Sequence, residues 1–571
     1  MHHIYKKLTI LFTLTGLLIS PLFALAQSNN FYVDPSHDIA GRTTIPSTLQ
    51  HTSEKAYFFV EDNYYNNLTS NKRSELQSSI NNLAQEFDTK IYPTLRLSYG
   101  SEWSPGIDND EKITILLTRM ESNVAGYVLF RNEQPRTENP ASNEREMIYL
   151  NTSIVGSDTA KAHLAHEFVH LIEYNQRNRQ RGISEPEWLS EGLADYAPTL
   201  LGYNEPYSGS HLESRVNDFL TFPYDSLTGW KDKSVDFATS SLFMHYLVGH
   251  HGDSILLNLM QADGRGEDAV NNALERLNRT DTFQNLFRDW TVANYVNGST
   301  TEGEKNYSYN SSLLNFSNLH ITSPVQYSMF PDNSISSNFF ASYGAANWLK
   351  FVPGQLGANG ANTLNIKFST SPTNSGFHVP YIVTDILGQT RVEEINLVNG
   401  SGIANIDNFG TSVISVVLAP SHYYKTNNPN PGSSSFTINV STDNGAVAGE
   451  TTYTDGSLLR AQGGSKVYVI KNGTKRWIPS AKIFNGYGHL RWEDIIDVDP
   501  SVLSFYQDSS LIKFIGDYRV YEVDTFGSTK RHLNITPQQF ESAGYRWDAI
   551  YEVNQSEFNS YLTGTPKAVI F

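Results

Sequence analysis

The sequence predicts a multidomain chain: an α+β lobe that turns helical, then a β-sandwich, then a small duplicated α+β module. Three observations carry that prediction. The 571 residues exceed one ordinary domain of about 100–200 residues and suggest three or four. Hydrophobic periodicity passes from strand-like to helix-like and back to strand-like along the chain. The C-terminal segment repeats itself. Composition narrows the class further. Charged residues are 18% and aromatics 12%, which excludes a mainly disordered chain, because disorder goes with high charge and few aromatics. A formal charge of −17 argues against nucleic-acid binding, which needs a basic face. Cysteine is absent, so disulfides, thiolate metal sites and cysteine nucleophiles are excluded.

Residues 1–26 read as a secretory signal peptide. Lys6 and Lys7 form the cationic start, Leu8–Ile19 the apolar core, and Ala24-Leu25-Ala26 the small-residue site for cleavage before Gln27. An uncleaved N-terminal anchor is the alternative. No later run approaches ~18 apolar residues, so no transmembrane span is expected after signal removal. The mature chain is expected to be secreted, extracellular or held at the cell surface by its own domains.

The first lobe is placed at 27–300. Tyr57–Val60, Lys112–Leu117, Val124–Phe130 and Met147–Leu150 read as strands, and Leu76, Ile80, Leu83 and Phe87 recur at helical spacing. Helices follow at Thr159–Tyr174, entered through Ser157 or Asp158, and at Pro186–Tyr196, where Ser184 and Glu187 have capping-box spacing. Further helices are expected at Ser241–Val248 and Asp268–Leu277. The β-sandwich is placed at 301–443, with Leu364, Ile366 and Phe368 on one face and Phe436, Ile438 and Val440 likewise. Residues 444–457 read as a linker. Residues 458–571 hold two tandem repeats, 458–509 and 510–564. Val467-Tyr468 recurs as Val520-Tyr521, Lys475-Arg476 as Lys530-Arg531, Arg491-Trp492 as Arg546-Trp547, and Tyr506 as Tyr561. The Arg–Trp pairs have two readings: exposed contacts for a cell-surface or polymer ligand, or core tryptophans covered by arginine.

The chemistry is concentrated at His166-Glu167-Phe168-Val169-His170, an HExxH pattern. Histidines at i and i+4 project from one helix face, so two neutral nitrogens can reach one Zn²⁺. Glu167 is rotated about 100° away from His166, beside the ion, where it can take a proton from water. A third ligand is needed. Glu191 in WLSEGLADYA shares a helical face with Asp195; Glu191 can complete a His₂Glu set, and Asp195 can accept the Nδ1–H of His166. Glu173 is a rival ligand, but three ligands in one row on one helix cannot close a tetrahedron. Glu185 and Glu187 are lesser rivals. Gly192 is expected to let two helices approach closely. Asp108, Asn109 and Asp110 offer oxygens to Ca²⁺, with a solvated turn as the plainer reading.

HEFVH followed by WLSEGLADYA resembles the gluzincin metallopeptidases, and within them the secreted hyicolysin-type neutral peptidases. The similar stretch runs from about Ala125 through NEREMIYLN (Asn143–Asn151) to WLSEGLADYA, under a fifth of the chain. The resemblance implies a zincin-type peptidase domain and one catalytic Zn²⁺ on His166, His170 and Glu191. It implies Glu167 as general base, Asp195 supporting a ligand, and protein or peptide substrates lying antiparallel to an edge strand, for which Val124–Phe130 is the candidate. Related domains carry a Tyr where Phe237 stands, so the oxyanion donor is unassigned, with Tyr196, Tyr246 and His245 as candidates. The repeats are similar to those on exported bacterial proteins. Two other functions stay open: an idle peptidase-like fold binding a surface through its sandwich and repeats, and a zinc hydrolase acting on a non-peptide bond.

Overall fold

A computed structural model describes residues 28–567 apart from 299–306, 323, 332, 355, 357–361, 372–375, 424–431, 443–452, 454, 499–502, 504–505, 525–526 and 544. The signal peptide and most of the linker expected at 444–457 lie outside the described residues. The chain is multidomain, with a helix-rich N-terminal region followed by many-stranded, sandwich-like sheets. No helix among the described residues is long and apolar enough to cross a membrane. By internal packing the chain divides into two compact units: residues up to Pro93 with Trp103–Glu167, and Thr94–Glu102 with everything from Phe168 onward.

The first unit is built on a six-stranded sheet of β1 (Ser28–Tyr32), β2 (Thr44–Thr52), β3 (Ala56–Glu61), β4 (Ile113–Thr118), β5 (Gly126–Val128) and β6 (Met147–Asn151), in the order β1-β2-β3-β4-β6-β5. β3, β4 and β6 run parallel, and β5 is an antiparallel edge strand on β6. All residues of β4 and β6 are buried, as the unbroken apolar runs of a parallel sheet require. A short helix α1 (Asp62–Asn66) follows β3, and α2 (Ser70–Glu86) starts where the Thr69 side chain accepts the Lys72 N–H. Leu76, Ile80, Leu83 and Phe87 are its buried stripe. β1 and β2 were not expected, because segments such as TIPSTLQHT lack a clean apolar alternation.

The helices that follow are α3 (Tyr92–Tyr99), α4 (Asp158–Glu173), α5 (Glu187–Leu200), α6 (His211–Thr221), α7 (Ser234–His251), α8 (Ser254–Gln261), α9 (Glu267–Arg276) and α10 (Phe283–Val296). α5 differs from expectation at both ends. Pro186 itself is the N-cap and no side chain caps the helix, so the Ser184–Glu187 capping box does not form. Its C-terminus runs past Tyr196 and through Pro198.

The second unit also holds a nine-stranded assembly of β7 (Val325–Met329), β8 (Ser334–Ser342), β9 (Leu349–Pro353), β10 (Asn362–Ser371), β12 (Pro380–Asp385), β13 (Thr390–Glu394), β14 (Ser401–Phe409), β15 (Val413–Leu418) and β17 (Ser433–Thr442); β11 (Phe377–His378) and β16 (Ser421–His422) pair separately. One layer is β14-β10-β17-β8. The other is β13-β12-β15-β9-β7, and a single pair, Phe409–Val413, joins them. Leu364, Ile366, Phe368, Phe436, Ile438 and Val440 fill the core between them.

Two five-stranded sheets close the chain. The first comprises β18 (Leu458–Ala461), β19 (Val467–Lys471), β20 (Thr474–Ile478), β21 (Ile495–Val498) and β22 (Gln507–Asp508), with helix α11 (Ala481–Asn485). The second comprises β23 (Leu511–Phe514), β24 (Val520–Val523), β25 (Thr529–His532), β26 (Tyr551–Val553) and β27 (Leu562–Thr563), with helices α12 (Pro537–Ser542) and α13 (Gln555–Ser560). The sheet orders, β21-β18-β19-β20-β22 and β26-β23-β24-β25-β27, coincide strand for strand. Arg476 of β20 and Glu557 of α13, both buried, form an ion pair that links the two sheets, and the Tyr487 and Tyr561 hydroxyls also donate to Glu557.

At the end of β3 the Glu61 carboxylate is fully buried and accepts from Arg42 (Nη1, 2.6 Å) and Arg119 (Nη2, 2.5 Å). Burial pushes its carboxyl up, but the bonds from the two guanidinium groups outweigh burial and hold it at about 2. A depressed pKa means the folded state binds fewer protons than the unfolded one. The stabilisation is therefore present above the ordinary carboxyl pKa and is lost as pH falls through the folded value. Glu61→Gln should cost on the order of 2–3 kcal/mol at pH 7. In urea denaturation, the gap to the parent protein should narrow as pH falls from the ordinary carboxyl value toward about 2.

Candidate metal centre

His166, Glu167 and His170 lie on α4, and Glu191 on α5. One ligand atom from each of His166, His170 and Glu191 falls within 4.8 Å of the others, and among the described residues no other group of three or more His, Asp or Glu side chains does so. Two imidazole nitrogens and a carboxylate oxygen, drawn from two helices, can hold a metal ion. Of the rival acids, none joins this cluster.

His170 is fixed on both sides of its ring. Its Nε2 is 3.6 Å from Glu191 Oε1. Its Nδ1 is 3.4 Å from Ser190 Oγ and 3.6 Å from Glu173 Oε2. Ser190 Oγ donates to Glu173 Oε2 at 2.5 Å, and both residues are buried. Glu173 thus stands on the far side of the imidazole from Glu191, where it sets the ring's orientation rather than competing for the ion. Ser190 was missed in the sequence, since a lone serine inside a helix carries no distinguishing signal.

Two buried ion pairs position the helices. Arg177, in the turn that ends α4, is fully buried. It donates Nε to Glu185 Oε1 at 2.7 Å, Nη2 to Glu185 and to the Gly264 carbonyl, and Nη1 to the Ala262 carbonyl. Glu185 Oε2 also accepts the Gly266 N–H at 2.7 Å. The segment between α4 and α5 is clamped in this way, which accounts for Glu185; the N-cap of α5 is Pro186, whose side chain has no acceptor to offer. Glu187 is exposed at the first turn of α5. Along α5, Gly192 packs on α7: a Cβ there would stand 3.1 Å from the Ser240 carbonyl oxygen. Asp195 is buried and accepts from Arg215 on α6, Nε at 2.7 Å and Nη2 at 3.3 Å. Those two bonds leave carboxylate lone pairs for a further donor. Phe237, in the place of the expected Tyr, lies under the same guanidinium, 4.9 Å from ring centre to carbon.

Glu167 is 5% exposed and adjoins the edge strand. A Cβ on Gly126 would lie 3.2 Å from Glu167 Cγ and 2.9 Å from the Tyr149 carbonyl oxygen, so β5 can approach the acid only with glycine there. The next residue, Tyr127, stacks on Tyr149 at 4.4 Å.

The three candidate oxyanion donors are engaged elsewhere. His245 is buried, with Nδ1 2.7 Å from the Ser241 carbonyl oxygen and Nε2 2.7 Å from Thr199 Oγ1, and burial pushes its pKa down to about 4. The Tyr246 ring is buried against His250 and Tyr309. The Tyr196 hydroxyl faces Asp253 Oδ1 at 3.5 Å, and its ring packs edge-on to His245. In the turn at 108–110, Asp108 accepts the Asp110 N–H, while Asp110 accepts the Lys112 N–H and the Tyr57 hydroxyl. These carboxylates serve the turn.

No protein-family model matches the chain, and no curated protein matches it. Several solved structures align with about a fifth of it. They include the pre-peptidase C-terminal domain of a collagenase from Bacillus anthracis (9% identity, 21% of this chain, 98% of that one, TM-score 0.15). A periplasmic inhibitor of g-type lysozyme from Aeromonas hydrophila aligns at 12% identity, covering 21% of this chain and 99% of that one, with a TM-score of 0.14. A family 11 carbohydrate-binding module from Clostridium thermocellum aligns at 9% identity, covering 21% and 87%, with a TM-score of 0.12. Likenesses at these scores assign neither fold nor function.

Glu191→Ala should abolish divalent-metal binding in equilibrium dialysis with elemental analysis. Ser190→Ala, which keeps all three ligands, should weaken metal affinity by about 10–100-fold. Unchanged affinity would remove Ser190 from the centre's support.

Proposed function

We propose that this chain is an exported zinc-dependent metalloendopeptidase of gluzincin type. In this reading 27–300 is a zincin-type catalytic domain, the sandwich is accessory, and the two C-terminal sheets are copies of one duplicated unit. The observation that carries the reading is the joint placement of His166, His170 and Glu191 within 4.8 Å, with Glu167 between the two histidines in sequence and against the edge strand. The donor set, two imidazoles and one carboxylate, suits Zn²⁺.

A zinc ion held there would polarise a scissile carbonyl and make water acidic near neutral pH. The protein's own residues do the rest. An extended peptide adds antiparallel to β5, the edge of the six-stranded sheet, and takes its main-chain hydrogen bonds from that strand. Glu167 takes a proton from the attacking water, and the C–N bond breaks as the same carboxyl delivers that proton to the leaving amine. Burial of Glu167 excludes bulk water from this transfer. Glu173 and Ser190 keep the His170 ring turned toward the ion, and Asp195, anchored by Arg215, accepts the second N–H of His166.

Casein digestion should be abolished by a chelator and restored by added Zn²⁺. Glu167→Gln should retain about one zinc per chain and lose activity by at least about 100-fold; near-parental turnover would exclude Glu167 as the base. Gly126→Ala should keep zinc but lower kcat/KM on peptides, because the added methyl crowds Glu167 and shifts the strand that positions substrate.

A further inference from the structure

The metal centre makes no use of the repeated Arg–Trp pairs. Both tryptophans are about half exposed, Trp492 at 47% and Trp547 at 48%. Each lies nearly flat on a buried phenylalanine: Trp492 on Phe484 at 4.2 Å and 29°, Trp547 on Phe540 at 4.1 Å and 26°. Each indole N–H is committed, to Asn485 Oδ1 at 2.8 Å and to Glu541 Oε1 at 2.9 Å. The preceding arginines are committed as well, Arg491 to Asp494 and Arg546 to Asp548, each by two bonds. What each unit presents outward is therefore the exposed surface of a ring already fixed in place, with its polar edge satisfied. A rigid aromatic loses little entropy on binding and offers contact area more than hydrogen bonds.

Trp547 also borders a cavity of about 470 Å³, with Tyr518, Lys513, Glu552 and Lys471 on its walls. That volume lies within the ~300–1,000 Å³ usual for small-ligand sites. Tyr518 is 90% exposed. Lys513 and Glu552 pair at 2.8 Å, so the wall offers donors and acceptors together without a strong net charge from that pair. Lys471 donates to the Ile550 carbonyl. An aromatic platform beside paired polar groups fits a neutral ring with one C–H face and hydroxyl groups at its rim. Among the described residues, Lys471 is the one charge on the wall outside that pair, with its ammonium held at the Ile550 carbonyl.

We propose that the second repeat unit carries a carbohydrate-binding site for a pyranose ring of a neutral glycan, with Trp547 as its stacking platform and Tyr518 on its rim. Trp492 is the matching platform of the first unit, so a polymer of repeating sugars can be held at two points. This site is independent of the peptidase reading, and the Glu167→Gln protein should bind sugar as the parent does.

The test is calorimetric titration of the full chain with cellohexaose and with chitohexaose, together with retention on insoluble cellulose and chitin. At least one hexasaccharide should bind saturably. Trp547→Ala should weaken that binding by at least about tenfold. Tyr518→Ala, at a position too exposed to affect folding, should weaken it by a smaller factor. Trp492→Ala should reduce retention on the polymer more than it reduces hexasaccharide affinity. The proposal is overturned if neither sugar binds. It is also overturned if binding survives unchanged in both Trp547→Ala and Tyr518→Ala, or if a proline-rich peptide binds the site and the sugars do not.

Discussion

The candidate metal centre depends on holding two imidazoles and a carboxylate at one point. Such groups prefer water, and gathering them in a largely buried place costs desolvation that only a bound cation or fixed partners can offset. The protein meets that cost by making the surroundings rigid. Ser190 and Glu173 take one side of the His170 ring while Glu191 faces the other. Arg177 and Glu185 clamp the connection from α4 to α5, and Gly192 lets α5 settle on α7. Buried ion pairs of this kind contribute little net stability compared with apolar packing. Their value here is positional, because a displacement of about 1 Å at one ligand would open the coordination set.

How much of this the amino-acid sequence discloses depends on the range of the interaction. Local periodicity is enough for the buried strands β4 and β6, for the stripe of α2 and for the helix carrying HExxH, because one burial pattern dominates each. The same logic fails for β1 and β2, where Ser, Thr and Gln interrupt the alternation, and for the start of α5, where the N-cap falls on Pro186 instead of Ser184. The two histidines of the candidate metal cluster could be read because residues four apart on a helix share one face and can reach one ion. Their supports could not. Arg215 reaches Asp195 from another helix, and nothing in the order of residues marks that pair. Likewise, the choice between exposed and covering roles for the Arg–Trp pairs needed coordinates, since each tryptophan lies on a phenylalanine with part of its surface left open.

The sandwich is joined to the helices through named polar contacts rather than by a bare tether. The Tyr343 hydroxyl donates to Glu267 at the start of α9, Ser226 donates to the Tyr343 carbonyl, and Trp348, buried, donates its indole N–H to the Thr291 carbonyl of α10 at 3.1 Å. α7 is approached closely by the segment that precedes the sandwich: a Cβ on Gly249 would stand 2.2 Å from the Tyr309 carbonyl oxygen. α10, which packs on the sandwich strands β12 and β16, also packs on α7, the helix on which α5 rests.

The edge strand beside Glu167 shows how one residue can reconcile opposing demands. An exposed sheet edge invites unwanted pairing, and proteins limit that risk by keeping edge strands short; β5 is three residues long. In the proposed reading, a peptide recruited to the same edge needs those main-chain groups and must lie close enough for an acid to reach its scissile bond. Gly126 meets both conditions. Without a side chain the strand packs against Glu167 Cγ and the Tyr149 carbonyl at distances that any larger residue would violate. Tyr127, stacked on Tyr149 with its hydroxyl accepting the Asp34 N–H at 3.2 Å, holds the strand's register. The position of the acid relative to the edge strand is thus set by a glycine and a stacked tyrosine pair, both contributed by the sheet.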